Sequence, residues 1–405
     1  MAVGSGELGI LHPVGGVRMA AVSAGIKKSG RLDVVLFALA PGTVTAGVFT
    51  TNAFCAAPVT LCKENLARAT AHYLLINTGN ANAGTGTAGM EAALQCCQAL
   101  AARANVDPSQ VLPFSTGVIG EQLPAEKIIA VLPAALAALT DNAWDTVARG
   151  IMTTDTRPKA CSRQLKLADK TVTITGIAKG AGMIKPNMAT MLGYVFTDVL
   201  MSREQAEHAV KAAADLSFNR ITIDGDTSTN DSCMLVASGQ SGVDVAQLSA
   251  AEQKLFHDTL TTVFIELATA IVKDGEGATK FVTIKVEGGA NTDECLQVGY
   301  AIGESPLVKT ALFASDPNWG RILAAVGRAG LYKLQIDQIE IWLGEVCIVQ
   351  AGARAESYTE VAGQAVLNQE AFTITVKLGR GSCNETLWTC DFSHEYVSIN
   401  ADYRS

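Results

Sequence analysis

Apolar residues recur along the chain in two spacings, one typical of buried strands and one typical of amphipathic helices. The first half contains three apolar runs that predict strands, at residues 35–49, 73–76 and 111–114. It also contains three stretches with helical spacing, at residues 90–103, 126–139 and 142–152. Pro133 has no backbone N–H to donate and predicts a break in the second of these helices.

The second half continues the alternation of strands and helices. Strands are predicted at residues 171–177, 192–198, 220–224, 233–237, 280–287, 339–350, 372–378 and 385–399. Helices are predicted at residues 203–215, with Ser202 as the N-cap, and at residues 250–273, the longest helical pattern in the chain. Alternation of this kind in both halves predicts a layered α/β architecture.

Composition excludes several classes of protein. The chain has 405 residues, 48% of them hydrophobic and 17% charged, which is enough apolar material for a sizeable core. The formal charge of −8, without any run of Lys or Arg, argues against a nucleic-acid partner. The apolar stretch at residues 34–49 is interrupted by Pro41 and Gly42, so we expect no membrane-spanning segment. The first sixteen residues lack the features of a signal peptide, which favours the cytoplasm and reduced cysteines.

The common cofactor and metal motifs are missing from the sequence. The glycines of Lys179-Gly180-Ala181-Gly182 follow a predicted strand, but their spacing fits neither standard phosphate-binding loop. The five histidines show no metal-binding spacing, and the chain has no G-x-S-x-G nucleophile turn. The sequence therefore predicts neither a metal nor a required cofactor.

The dipeptide Ala189-Thr190 offers a nucleophile. A threonine hydroxyl is activated by an adjacent base, and cleavage of the chain before Thr190 would supply that base as the new α-amine. An α-amine has an ordinary pKa of about 7.7 to 8.0, which suits proton transfer near neutral pH. Alternatively, Thr190 simply begins a strand, and the local sequence leaves both interpretations open.

The segment at residues 178–192, AKGAGMIKPNMATML, closely resembles the processing site of the ornithine acetyltransferase family, the bifunctional glutamate N-acetyltransferases of arginine biosynthesis. Other blocks resemble the same family in the same order along the chain. They are AGVFTTN at 46–52, NANA at 80–83, STGVIG at 115–120, DGEGATK at 274–280, DPNWGR at 316–321 and INADYR at 399–404. The resemblance therefore covers nearly the whole chain.

The resemblance implies an enzyme that cuts itself between Ala189 and Thr190. Residues 1–189 would form an α chain and residues 190–405 a β chain, in which 190–282 completes the main sandwich and 283–405 forms a smaller C-terminal α/β domain. The implied fold is an α-β-β-α sandwich resembling the N-terminal nucleophile hydrolases, with different connectivity. Two α and two β chains would assemble together.

The implied reaction is a ping-pong acetyl transfer. Thr190 would take acetyl from N-acetylornithine and pass it to glutamate, which gives ornithine and N-acetylglutamate. No cofactor is required, and acetyl-CoA is a second acetyl donor for the bifunctional members. Two rival functions stay open: a self-processing aminopeptidase or amidase of related fold, in which water accepts the acyl group, and a non-enzymatic binding protein.

The resemblance also assigns site residues. Thr116 and Gly117 match the oxyanion hole, where a hydroxyl and a backbone N–H stabilise the tetrahedral intermediate. The substrate-binding residues carried over are Thr153, Lys179, Thr190, Glu276, Asn400 and Ser405. Thr154 is the alternative to Thr153, and Glu276 would either pair with an ammonium group or orient the Thr190 amine.

Overall fold

The computed structural model describes residues 2–27, 30–185 and 191–402. The strands of these residues are β1 Val17–Val22, β2 Val34–Leu39, β3 Val44–Phe49, β4 Tyr73–Asn80, β5 Val111–Val118, β6 Lys159–Leu167, β7 Lys170–Lys179, β8 Leu192–Thr197, β9 Ile221–Thr222, β10 Ser232–Ala237, β11 Phe281–Gly289, β12 Glu340–Leu343, β13 Val346–Gln350, β14 Ala353–Arg354, β15 Ala371–Lys377 and β16 Cys383–Cys390. The helices are α1 Ala57–Arg68, α2 Gly86–Ala104, α3 Ala125–Ala137, α4 Trp144–Gly150, α5 Arg203–Asp215, α6 Ala250–Lys273, α7 Thr292–Gly303, α8 Pro306–Phe313, α9 Trp319–Gly327, α10 Glu360–Leu367 and α11 His394–Ala401.

Two sheets stack face to face in the larger part of the molecule. The first has the strand order β1-β2-β4-β5 and the second has the order β3-β10-β8-β7-β6. Aromatic residues fill the space between them, and the ring centroids of Phe37 and Phe196 lie 4.7 Å apart. Helices α2 and α3 cover the outer face of the first sheet, and α5 and α6 cover that of the second. The predicted helix-sheet-sheet-helix order is confirmed.

The apolar run at residues 35–49 forms two strands, whereas the pattern predicted one continuous segment. The chain leaves β2 at Leu39, turns through Pro41 and Gly42, and enters the other sheet as β3. Alternate residues of β2 pack on opposite faces: Val35 and Phe37 face the second sheet, and Val34 and Leu36 face the helices. Because both faces of β2 are buried, its own residues are all apolar. Pro41 and Gly42 mark the turn but not the entry into the other sheet.

Helix α6 matches its predicted range. The Ser249 hydroxyl caps it by accepting from the Glu252 N–H, and the Glu252 side chain accepts from the Ser249 N–H in return. In the described part of the chain, α6 is the one helix with the length and apolar composition of a membrane span. Its buried residues, including Phe256, Phe264 and Ile271, pack in the core cluster beside the second sheet.

Three further local predictions were wrong. The strand predicted at residues 339–350 is a hairpin of the antiparallel strands β12 and β13. Helix α3 continues through Pro133, which lies on the exposed face, where water can solvate the carbonyl that loses its donor. The predicted strand at 385–399 ends at Cys390 and is followed by α11. The chain turns there because the Asp391 carboxylate accepts from the backbone N–H groups of Thr279 and Lys280, both at 2.8 Å.

The C-terminal part is built on a third sheet with the order β14-β13-β12-β15-β11-β16-β9. Helices α7 to α10 pack against it around a separate apolar cluster. Strand β9 pairs with β16, so Ile221 and Thr222 join this sheet although they precede α6 in the chain. The predicted α and β chains and the boundary after residue 282 stay predictions.

Candidate active site

A cavity of about 280 Å³ lies at one end of the two stacked sheets. Strand β7 ends here and strands β8 and β10 begin here, because Leu192 pairs with Lys179 on one side and with Ser232 on the other. The end of β5 closes the cavity from the first sheet through Thr116 and Gly117.

The cavity brings together six residues that the family resemblance assigned to the site. They are Thr116, Gly117, Thr153, Lys179, Glu276 and Asn400. These residues come from five separate segments of the chain, and Thr154 lines the cavity beside Thr153. Ala189, Thr190 and Ser405 lie outside the described residues. Met191, which follows Thr190 in the sequence, lines the cavity wall.

Thr116 and Gly117 lie where β5 runs beside β4. Gly117 has φ of 137°, and a Cβ atom there would lie 2.3 Å from the carbonyl carbon of Gly79, so the position requires glycine. The Thr116 hydroxyl accepts a hydrogen bond from the Lys179 ammonium at 3.2 Å. A hydroxyl, a backbone N–H and a cation therefore meet at one wall.

A buried ion triad supports this wall from behind. The Lys159 ammonium lies 2.6 Å from a carboxylate oxygen of Asp155 and 2.6 Å from one of Asp274. Asp155 also accepts from the backbone N–H groups of Thr153, at 2.9 Å, and Gly180, at 2.7 Å. The triad thus fixes the backbone at Thr153 and at Gly180, which follows Lys179. Thr153 and Lys179 are both predicted to bind substrate.

Charges in this wall change the pKa values of its groups. Burial raises the pKa of Asp155, but the ammonium groups of Lys159 and Lys179 outweigh burial and hold that pKa well below its ordinary value. Burial lowers the pKa of Lys179, and Asp155 partly opposes that shift. Lys179 is 8% exposed, so its ammonium group lies in a region where a substrate anion would be poorly screened by water.

Glu276 reaches the cavity from the turn that follows α6. Its carboxylate accepts a hydrogen bond from the Asn400 side-chain amide at 2.7 Å, and its backbone N–H donates to the Ala181 carbonyl at 2.8 Å. A Cβ atom at Gly182 would lie 2.4 Å from the same carboxylate. The position of the Glu276 carboxylate therefore requires glycine at residue 182 and is supported by Asn400 of α11.

Helix α11 lies beside the cavity, which its Asn400 lines. None of its residues is buried, and besides Asn400 its Tyr396 hydroxyl donates to Asp224 at 3.3 Å. Asp224 in turn accepts from the backbone N–H groups of Met183, at 2.6 Å, and Ile184, at 2.8 Å. One aspartate therefore links α11 to the segment that leads toward the expected cleavage site.

Sequence reasoning missed Asn230 and Asp231, which line the same cavity. The Asn230 amide donates to the carbonyls of Ala81, at 2.6 Å, and Ser115, at 2.9 Å, and so ties the two sheets together. Asp231 is 2% exposed. The signal available in the sequence is the polar run at residues 224–232, which directly precedes the apolar strand β10.

A second cavity of about 220 Å³ adjoins the first. The two share Gly117, Val118, Thr153 and Thr154, and the second extends toward Ile399 of α11. Together they provide a continuous path along the end of the sheets.

Comparison with known proteins identifies the family. The model of the ArgJ family matches residues 18–405. The chain belongs to the ArgJ family. It is 58% identical over 408 residues to the arginine biosynthesis bifunctional protein ArgJ of Pseudomonas fluorescens, with all of both chains covered.

Two solved structures are also similar. ArgJ of Bacillus halodurans is 36% identical, with 52% of this chain and 99% of that chain covered and a TM-score of 0.49. The ornithine acetyltransferase of Mycobacterium tuberculosis, solved with ornithine, is 34% identical, with 44% and 94% covered and a TM-score of 0.39.

The family assignment confirms the interpretation of this ArgJ chain as an acetyltransferase of arginine biosynthesis. It decides against the non-enzymatic alternative. The described residues contain no group of three or more His, Cys, Asp or Glu arranged to hold a metal ion.

Proposed function

We propose that this ArgJ chain transfers acetyl from N-acetylornithine to glutamate through an acetyl ester on Thr190. The observation that supports this most strongly is the convergence of six assigned residues on one cavity whose wall continues into Met191, the neighbour of Thr190 in the sequence. Cleavage between Ala189 and Thr190 would free the amine that serves as the base for the Thr190 hydroxyl.

The oxyanion of the tetrahedral intermediate would be stabilised by the Thr116 hydroxyl and the Gly117 N–H. Donors of this kind are commonly worth about 3 kcal/mol each, because they are in place before the charge develops. Lys179 donates to the Thr116 hydroxyl, which leaves that hydroxyl's own proton available to the oxyanion.

Substrate recognition would use the two signs of charge in the cavity. Ornithine carries a carboxylate and a side-chain ammonium, whereas glutamate carries two carboxylates. Lys179 supplies a buried cation for a carboxylate, and Glu276, fixed by Asn400, supplies an anion for an ammonium. Thr153 and Ser405 would add neutral hydroxyl groups that serve either substrate.

Three further features belong to the same proposal. Acetyl-CoA is a second acetyl donor, which would make the chain bifunctional. The α and β chains stay associated after cleavage, two of each, because cutting one peptide bond leaves the apolar clusters intact. The enzyme works in the cytoplasm and without a metal.

The first experiment is acetyl transfer from N-acetylornithine to glutamate in buffer without CoA, with N-acetylglutamate followed by mass. We expect product from the parent chain and none from Thr190→Ala, which should also keep its uncut mass of 42.3 kDa. Thr190→Ser is the matched control, since it keeps the hydroxyl and should retain part of both reactions.

Two outcomes would contradict the proposal. Free acetate without N-acetylglutamate, from cleaved and folded protein, would favour the amidase alternative. Turnover by Thr190→Ala would exclude Thr190 as the nucleophile. Repeating the assay with acetyl-CoA in place of N-acetylornithine decides whether this chain uses both donors.

A further inference from the structure

Asp231 lies at the start of β10, directly beside the segment that follows Thr190. Strands β8 and β10 run parallel, and Ser232 pairs with Leu192. The residues that precede this pair, Asp231 and Met191, therefore lie next to each other. The Ser232 N–H donates to the Met191 carbonyl at 3.0 Å, which fixes this register at the strand ends. Asp231 is thus held at the cavity wall beside Met191, which follows Thr190 in the sequence.

The Asp231 carboxyl differs from those of two other buried aspartates, Asp155 and Asp391. Each of these receives N–H or O–H donors on both carboxylate oxygens. The Oδ2 atom of Asp231 is buried and has no hydrogen-bond partner among the described residues. A charged carboxylate with a buried, unpartnered oxygen is costly, whereas a neutral carboxylic acid in this place carries its own proton as a donor.

The electrostatics of the site agree with a neutral acid. Burial raises the pKa of Asp231 well above its ordinary value, and the Ser228 side chain, the Lys179 ammonium and the Met191 N–H oppose burial without cancelling it. The charged groups that face the same cavity are Lys179 from β7 and Glu276 from the turn after α6.

We propose that Asp231 is the second proton carrier of the acetyl transfer, alongside the Thr190 amine. This inference rests on the proposed function. When the Thr190 oxygen attacks N-acetylornithine, its proton passes to the Thr190 amine, the carbon–oxygen bond forms and the carbon–nitrogen bond breaks. The leaving nitrogen takes its proton from Asp231, which becomes a carboxylate, and ornithine departs as an amine.

The second half of the reaction reverses these transfers. The amine of glutamate attacks the acetyl ester and gives one N–H proton to the Asp231 carboxylate. The carbon–oxygen bond breaks, and the Thr190 oxygen recovers its proton from the Thr190 ammonium. In self-cleavage the Thr190 oxygen bonds to the Ala189 carbonyl carbon as the bond from that carbon to the Thr190 nitrogen breaks. Asp231 gives its proton to that nitrogen and takes up the proton of the Thr190 hydroxyl, so the acid is regenerated. Water then hydrolyses the Ala189 ester and restores the hydroxyl.

The decisive variant is Asp231→Asn, because an amide keeps the shape and the neutrality of the acid but cannot donate and recover this proton. We expect kcat to fall by about 100-fold to 10,000-fold with little change in KM, or self-cleavage to slow to a similar degree. The melting temperature should stay at or above that of the parent, since the variant removes a buried group whose ionisation opposes folding.

The matched control is Asp198→Asn, which alters an aspartate at the opposite end of β8. Asp198 is 8% exposed and accepts from the Thr173 N–H at 2.9 Å, so this variant should be cleaved and active. Cleavage is read by intact mass, folding by thermal melting, and transfer per cleaved chain by N-acetylglutamate formation over a range of pH.

A folded Asp231→Asn chain that is uncut, or cut and slowed at least 100-fold, supports the inference when Asp198→Asn behaves like the parent. Parent-like cleavage and kcat in Asp231→Asn would overturn it. A melting temperature well below that of the parent would also overturn it, because it would show a structural role. If the parent chain itself transfers no acetyl, the proposed function fails instead.

Discussion

Replacing Lys159 by Met tests whether the buried ion triad supports the site. The Lys159 ammonium is the cation between Asp155 and Asp274, at 2.6 Å from each, and all three side chains are at most 1% exposed. Methionine fills a similar volume without charge. The change leaves two carboxylates in the core with one fewer compensating cation, although their backbone donors stay in place.

The expected loss follows from this geometry. Removing one partner of a buried ion pair costs about 3–5 kcal/mol, since the remaining charge stays desolvated. Unfolding entropy of about 2.1 cal/mol/K per residue, taken over 405 residues, converts this loss to a fall in melting temperature of about 4–6 °C. The loss should shrink toward acidic pH, because the pKa of Asp155 is no longer held down by the Lys159 ammonium and its carboxylate can then bind a proton.

Lys309→Met is the matched control, because it removes another fully buried lysine. Lys309 donates to the Thr389 hydroxyl at 2.9 Å and to the Cys390 carbonyl, which are neutral acceptors. Its loss should cost about 1–3 kcal/mol, the range for buried polar groups left unsatisfied. Thermal melting of both variants at pH 7 and pH 5 measures the difference and its dependence on pH.

A second change in the same background gives the sharpest check. Asp274→Asn in Lys159→Met removes one of the unpaired charges and should recover part of the lost stability. If the double variant melts below Lys159→Met, or if Lys309→Met is the more damaging of the two lysine changes, uncompensated charge is not the cause and the interpretation of the triad is refuted.

Two further predictions concern substrate binding. Asn400→Ala removes the hydrogen bond to the Glu276 carboxylate, worth about 1.5 kcal/mol, and should raise KM for N-acetylornithine about tenfold. Ser398→Ala on the same exposed helix is its control, and equal KM values for the two variants would contradict the role of Asn400. Burial lowers the pKa of Lys179 below its ordinary 10.5. The Lys179 ammonium therefore gives up its proton before the pH reaches 10.5, and KM for glutamate should rise as it does so. Lys179→Arg keeps its charge and should flatten this rise in a KM-against-pH profile; an unchanged profile would exclude Lys179 as the group responsible.

Much of the fold could be predicted from local patterns. Helix α6 was placed at its observed residues because the helical spacing runs from Ala250 to Lys273 and a glycine-containing turn follows it. Pro41 and Gly42 show where the run at residues 35–49 is interrupted, but the change of sheet could not be predicted. It depends on the pairing of β3 with the distant strand β10, which local spacing does not show. Strand β6 was missed because its polar and apolar residues do not form a run.

The site was harder to predict because its residues come from distant parts of the chain. The spacing of residues within a single segment does not mark Thr116, Lys179 or Glu276 as functional. Only the resemblance to a family assigned them to the active site. The structure adds the reason that they meet: the sheets end together, and β5, β7 and β8 each contribute a residue at that end.

Polar side chains can be buried at this end because strand ends leave backbone groups without partners in the ladder. Asn230 satisfies the carbonyls of Ala81 and Ser115, and Asp155 satisfies the N–H of Gly180 just after β7. Asp231 lies at the same end of the sheets, yet its Oδ2 atom has no donor among the described residues. A buried carboxyl oxygen without a donor is costly to the fold, so its position at the cavity agrees with a chemical use of the acid's proton.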